Sequence, residues 1–271
     1  MRGFYISKNI CTSAEKSDIL IIQDVPKGGK TVNEREILAY LERDKTIRID
    51  MIEAIRRHTA TVEYAAPDAV LLKTAVDDYL LAGDTADACE RALKRVSGDF
   101  DAFVAHDEVS REAVQKAFPR LNRCSPCWQA YYPKTEPIPL PDVCEIRPFP
   151  LDQVPFLVSV YDPDADPADY EERVKRGDVL AAYRDGKIAG FIGFHEDGSG
   201  GMLEVLPAFR RLGIGTALEI GLHNLALSRG WTPYGQIYVG NEASRKLQES
   251  LGMVVSDPNG SILYWIYRKE D

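Results

Sequence analysis

Apolar positions along the chain change period several times, and the changes mark out elements. Val32 to Arg43 carries Ile37, Leu38 and Leu41 on one stripe, and Ile47 to Arg57 repeats the pattern with Ile49, Ile52 and Ile55. Spacing of this kind predicts two helices. Ala69 to Thr74 and Asp78 to Ala82 are short apolar runs around a turn, which predict a hairpin. Thr85 is placed to cap a helix through Arg95. Asp101 to Ala105 then reads as a strand, Glu108 to Phe118 as a helix and Cys127 to Tyr132 as another strand.

The pattern breaks at Pro133 to Pro141, with four prolines in nine residues. Proline removes a backbone donor and biases its predecessor toward extended conformations, so a semi-rigid linker is expected. Beyond it, Glu145 to Pro148 starts a strand, Leu151 to Tyr161 and Asp169 to Arg176 read as helical, and Val179 to Tyr183 returns to sheet. Asp185-Gly186 is a hairpin signal, with Ile188 to Phe194 as the returning strand. A polar loop from His195 leads to a strand at Met202 to Leu206 and a helix from Ile214 to Ser228, stopped at Gly230. Gln236 to Val239 is a strand, Asn241 to Ser250 a helix ended by Gly252, and Ile262 to Arg268 a terminal strand.

Length and composition narrow the class. The 271 residues, 45% hydrophobic and 28% charged, suit one large or two ordinary globular domains. A net charge of −9 argues against a broad nucleic-acid footprint. No apolar run is long enough to span a bilayer, and Met1 to Cys11 lacks the order of a signal peptide, so a cytoplasmic protein is expected. Five cysteines fit a reducing compartment. Cys124 and Cys127 form a lone CxxC with no second ligand pair, and His58, His106 and His223 show no metal spacing, so no metal is expected.

The chemistry-bearing stretch is Arg210-Arg211-Leu212-Gly213-Ile214-Gly215-Thr216, between a strand and a helix. Unpaired backbone N–H groups at a helix start, glycines and the helix dipole together make a phosphate cradle. It is not a P-loop, because no Gly-Lys-Ser/Thr follows, and it is not a dinucleotide fingerprint, because Leu218 stands at the third glycine. Arg210-x-x-Gly213-x-Gly215 resembles the acyl-CoA pyrophosphate loop of the GNAT acetyltransferase superfamily. Val239-Gly240-Asn241-Glu242-Ala243-Ser244, closing in Leu251-Gly252-Met253, resembles that superfamily's second CoA-contacting segment. The resemblance covers roughly the last 125 residues. Leu263 to Tyr267 with Gly201 to Pro207 looks closest to the glycine N-acyltransferase-like branch.

The resemblance implies an α/β (α+β) chain. Residues 143–271 would be a GNAT acyltransferase domain with a mixed central sheet flanked by helices. Residues 1–142 would be a smaller mixed α/β domain, consistent with a degenerate copy of the same fold and ending in the proline linker. It also implies an N-acetyltransferase using acetyl-CoA or another acyl-CoA as co-substrate, with a small-molecule amine or amino acid attacking directly. The backbone of Leu212, Gly213, Ile214, Gly215 and Thr216 would hold the pyrophosphate, with Arg210 or Arg211 adding charge. Leu203 and Val205 would pair with the pantetheine amides. Asn241 and Ser244 read equally as cofactor contacts or as a helix cap.

Acid and base depart from the family pattern. A positioned base contributes ~10²–10⁴-fold, yet Ser199 or Gly200 and Gln236 stand where many members carry a glutamate. Glu204 is the nearest carboxylate on the expected strand, either as the base or as a glutamate facing water at a splayed edge. His195 and Glu196 are weaker alternatives. Gln248 replaces the tyrosine that many members use to reprotonate the CoA thiolate, which leaves Tyr264, Tyr238 or Tyr267 for the role, or sheet packing for all three. A catalytically silent acyl-CoA-binding regulator or sensor is the competing expectation, and the acceptor and oligomeric state are unread.

Overall fold

The structure, a computed structural model, describes residues 32–257 and 261–268. Met1 to Cys11 lies outside the described residues. Among those described, no helix is long and apolar enough to cross a membrane. The chain forms two compact units, and they do not follow chain order. One holds residues 32–130, 237–245, 254–257 and 261–268, and the other holds 131–236 and 246–253. We call them the amino-terminal and carboxy-terminal units.

The amino-terminal unit opens with α1 (Glu34–Leu41) and α2 (Ile49–Arg56). Asn33 and Glu36 close a capping box at the start of α1. The predicted stripes face inward, since Ile37, Leu41, Ile49, Ile52 and Ile55 are all buried. Next comes β1 (Ala60–Ala66), a strand the apolar pattern does not announce. Its sequence ATVEYAA buries only Val62 and sits at a sheet edge, so no strong alternation was needed. β2 (Ala69–Thr74) and β3 (Tyr79–Gly83) form the expected hairpin. Thr85 caps α3 (Ala86–Leu93), and β4 (Ala102–Ala105), α4 (Glu108–Ala117) and β5 (Arg123–Tyr131) follow. Cys124 and Cys127 both lie on β5, in clusters on opposite faces of the sheet.

The carboxy-terminal unit continues with β6 (Glu145–Pro148), α5 (Val154–Tyr161), α6 (Ala168–Lys175), β7 (Val179–Arg184), β8 (Lys187–Phe194) and β9 (Gly200–Val205). Leu151 to Gln153, expected in the same helix as α5, form a separate 3-10 turn, with a proline at the α5 start. Strands β6 to β9 pair in order as an antiparallel sheet. α7 (Ile214–Ser228) packs on one face of it, and α5 with α6 on the other. The proline segment is tethered, because Asn224 of α7 bonds both backbone groups of Ile138 at 2.8 Å.

β10 (Tyr234–Tyr238), α8 (Glu242–Ser250), β11 (Val254–Val255) and β12 (Leu263–Tyr267) complete the chain. The terminal strand β12 lies between β4 and β5, antiparallel to both. The second sheet is therefore mixed, since β3 and β4 pair in parallel while their neighbours run antiparallel.

One buried ion pair stands out in the amino-terminal unit. His106 donates Nε2–H to Asp50 Oδ1 at 2.8 Å and Nδ1–H to the Leu81 carbonyl at 2.9 Å. The Leu81 carbonyl can only accept, so Nδ1 carries a proton, and the Asp50 carboxyl at Nε2 favours a positive charge on the ring. Burial opposes that charge, but Asp50 and the Leu81 carbonyl outweigh it and hold the pKa above the ordinary imidazole value. A group whose folded pKa is raised stabilises the fold fully below its unfolded value near ~6.5, and loses that contribution as pH rises through the folded value. Urea unfolding should show the wild-type protein weakening across that rise. Asp50→Ala should cost about 3 kcal/mol at pH 6 and flatten the pH dependence.

Candidate functional site

β9 is the edge of its sheet and is not regular. Its register against β8 slips so that Met202 and Leu203 both stand opposite Ile192, a bulge in which Met202 takes a left-handed φ of 56°. The bulge sorts the side chains. Leu203 and Val205 join the apolar cluster under α7, whereas Met202 joins the cluster under α5 and α6. Glu204 pairs across with Phe191 of that second cluster, so its side chain leaves on the α5–α6 face.

The other edge of β9 approaches the start of β10 at one point. A β-carbon on Gly235 would stand 3.1 Å from the Gly200 carbonyl oxygen, so a larger residue there would push these backbones apart by a few tenths of an ångström. The two strands nonetheless belong to separate sheets. Beyond Gly200, β9 pairs with no further strand among the described residues, an edge open to an extended ligand that adds as a strand.

The loop after β9 is curled by two left-handed residues, Arg211 (φ 66°) and Gly213 (φ 78°). Gly213 is the N-cap of α7 and offers no side-chain acceptor, so the first N–H groups of the helix have no capping partner. Arg210 Nε donates to the Val205 carbonyl at 3.0 Å and ties the loop to the end of β9. Arg211 and Leu212 are exposed, Gly215 and Thr216 are half-buried, and Ile214 is buried among apolar side chains. Ile214 thus has only its backbone to offer.

On the α5–α6 face, Glu204 is half-buried with no hydrogen-bond or ion-pair partner among the described residues. Nearby, burial raises the Tyr161 phenol, Arg173 lowers it, and Asp162 and Glu204 raise it. Arg173 is occupied by Glu196 at 2.7 Å and touches the Met202 sulfur at 3.6 Å. The His195 ring lies against Gly201, and burial holds its pKa below the ordinary value. Among the described residues, no group of three His, Cys, Asp or Glu side chains could hold a metal ion.

The remaining expected site residues lie in the amino-terminal unit. Asn241 Oδ1 accepts from Ser244 N at 3.2 Å, a helix cap. Tyr264 on β12 is bonded to Glu108, with the Arg111 guanidinium 5.6 Å from its ring centre. Burial and Glu108 push its phenol up to about 12. Glu204 and the 210–216 loop belong to the other unit.

Residues 145–253 match the Acetyltransferase (GNAT) family. This segment resembles that family, whose members use acyl-CoA as co-substrate. Two solved structures share the fold across most of the chain. One is a Drosophila protein, 14% identical, with 89% of this chain and 98% of its own covered at a TM-score of 0.57. The other is a GCN5-related N-acetyltransferase from Kribbella flavida, 12% identical, with 83% and 96% covered at a TM-score of 0.51. No curated protein matches the chain.

Gly213→Val tests the loop geometry directly. A β-branched residue held at positive φ should cost about 1–2 kcal/mol in thermal or urea unfolding, while Leu212→Ala, at an exposed position, should cost less than about 0.5 kcal/mol.

Proposed function

We propose that the protein transfers an acyl group, acetyl foremost, from acyl-CoA to the amine of a small molecule or amino acid by direct attack. In this reading the chain resembles the glycine N-acyltransferase-like branch. The observation that carries the proposal is the joining of two features inside the 145–253 segment. An edge strand with a bulge runs into a left-handed glycine at the uncapped start of a fifteen-residue helix.

In this reading the N–H groups of Leu212 to Thr216 bind the pyrophosphate, where the helix dipole favours negative charge. The exposed Arg211, and the part of Arg210 not bonded to Val205, add charge-assisted contacts. The pantetheine amides pair with the free edge of β9 alongside Leu203 and Val205. The bulge then aims backbone donors at the thioester oxygen, on which charge develops as the amine attacks. Glu204, on the opposite face of the strand, takes the proton that the amine nitrogen must lose. Asn241 and Ser244 serve as a cap that fixes the start of α8. Tyr264 keeps its proton for Glu108.

Calorimetric titration with acetyl-CoA should show binding to the wild-type protein, and a combined Arg210→Ala, Gly213→Val variant should weaken it by at least ~10-fold. Absence of binding to the wild type would sink the proposal. With an acceptor found from an amine panel, Glu204→Gln should lose about 10²-fold or more in kcat and keep its acetyl-CoA affinity. Wild-type turnover in that variant removes Glu204 as the base. Binding with no turnover on any amine would instead favour an acyl-CoA sensor.

A further inference from the structure

α7 carries two ionisable residues on a face that should be apolar. Glu219 and His223 are one turn apart and buried, with 8% and 5% of their surfaces exposed. His223 Nε2 stands 3.8 Å from Glu219 Oε2, and its ring stacks at 6.2 Å on Tyr132. Gln248 of α8, 9% exposed, hydrogen-bonds the Glu219 carboxyl. Two buried polar atoms of this cluster, His223 Nδ1 and Gln248 Oε1, have no hydrogen-bond partner among the described residues. Burying such a group without a partner destabilises a fold, so two apolar helices would pack better if packing were the only task.

The register of α7 on β9 fixes where the cluster sits. A β-carbon at Gly215 would touch the Val205 methyl at 3.6 Å, and one at Gly200 would touch the Leu222 methyl at 3.3 Å. The helix therefore runs back along β9 from the loop toward the Gly200–Gly235 approach. Glu219 falls between these two levels, alongside the bulged middle of the strand. All of these residues lie in the carboxy-terminal unit.

We propose that Glu219 is the acid that returns a proton to the departing sulfur of the acyl donor, with Gln248 as its positioning partner. The proposal rests on the acyl-CoA reading above. As the amine nitrogen bonds the carbonyl carbon, the carbon–sulfur bond breaks and its electron pair goes to sulfur. The Glu219 hydroxyl proton goes to that sulfur, and the amine proton goes to Glu204. One proton exchanged through water resets both carboxyls. Burial raises the Glu219 carboxyl to about 7, so it is substantially protonated at neutral pH, as a general acid must be. Burial lowers His223 to about 4, so the facing imidazole is neutral and does not strip that proton as a charge partner would.

The test is an ultraviolet titration of the thiol of CoA bound to the full chain. In the wild type, a Glu219 carboxylate beside the sulfur should hold the thiol pKa up, and Glu219→Gln should lower it by about one pH unit. Glu219→Asp draws the carboxyl back by one methylene, should shift the curve the same way by less, and serves if the glutamine variant does not fold. A role confined to pinning α8 on α7 predicts superimposable curves in bound wild type and variants, and that result overturns the assignment. Failure of the wild type to bind CoA at all would overturn the acyl-CoA reading itself.

Discussion

The seating of α7 on β9 is the contact on which the rest of the carboxy-terminal unit depends. It is close because small residues line the helix. A β-carbon at Gly215 would touch the Val205 side chain of β9 at 3.6 Å, one at Gly221 would crowd Ile146 of β6 at 3.1 Å, and Ala217 and Ala226 are almost wholly buried. Leu218 and Leu222 fill the space that remains against β8 and β9. The consequence is positional. With the helix axis held against the strand, the loop between them must turn sharply, and the left-handed Arg211 and Gly213 are the form that turn takes. The exposed N–H groups at the helix start follow from the packing, and Asn224 adds a tether to the proline segment from the same helix.

Chain order and spatial order part company at the terminal strand. β12 completes the sheet of the amino-terminal unit, with Leu263 and Ile266 at zero exposure in its two clusters. Some fifty residues of chain separate it from the loop at Gly213, yet the amino-terminal core is incomplete without it. A strand buried on both faces reads as a continuous apolar run, which Leu263 to Tyr267 does. Nothing in such a run names its neighbours. This is why the element could be read from the sequence and its place could not.

The same distinction governs the rest of the reading. Helices α1, α2 and α3, the hairpin of β2 and β3, and the strand–loop–helix at Gly213 were legible because period, caps and glycines are local signals. β1 was not, because an edge strand needs little apolar alternation. The bulge at Met202 left no mark, since a methionine at positive φ looks like any methionine in sequence. His223 illustrates the harder case. In sequence it shows only the lack of a metal spacing, and its place beside Glu219 is visible only in the fold. Tyr264 shows the reverse: a strand tyrosine offered as an acid has its hydroxyl bonded to Glu108.

In the proposed reaction, the bulge decides how one strand can serve two reactants. In a regular strand, alternate residues face alternate sides, and a donor lying along the edge would meet both sets equally. Here Met202 and Leu203 break the alternation at the middle of β9, where Leu203 turns toward α7 and Glu204 toward α5 and α6. Apolar side chains are thereby gathered on one face, and the Glu204 side chain is presented on the other. Arg173, the cation at that second face, is already held by Glu196, so it does not neutralise Glu204. An amine that arrives as a cation is attracted to such a carboxylate and must surrender its proton before attacking. In the proposed reaction, the charge that draws the acceptor in is then the group that deprotonates it.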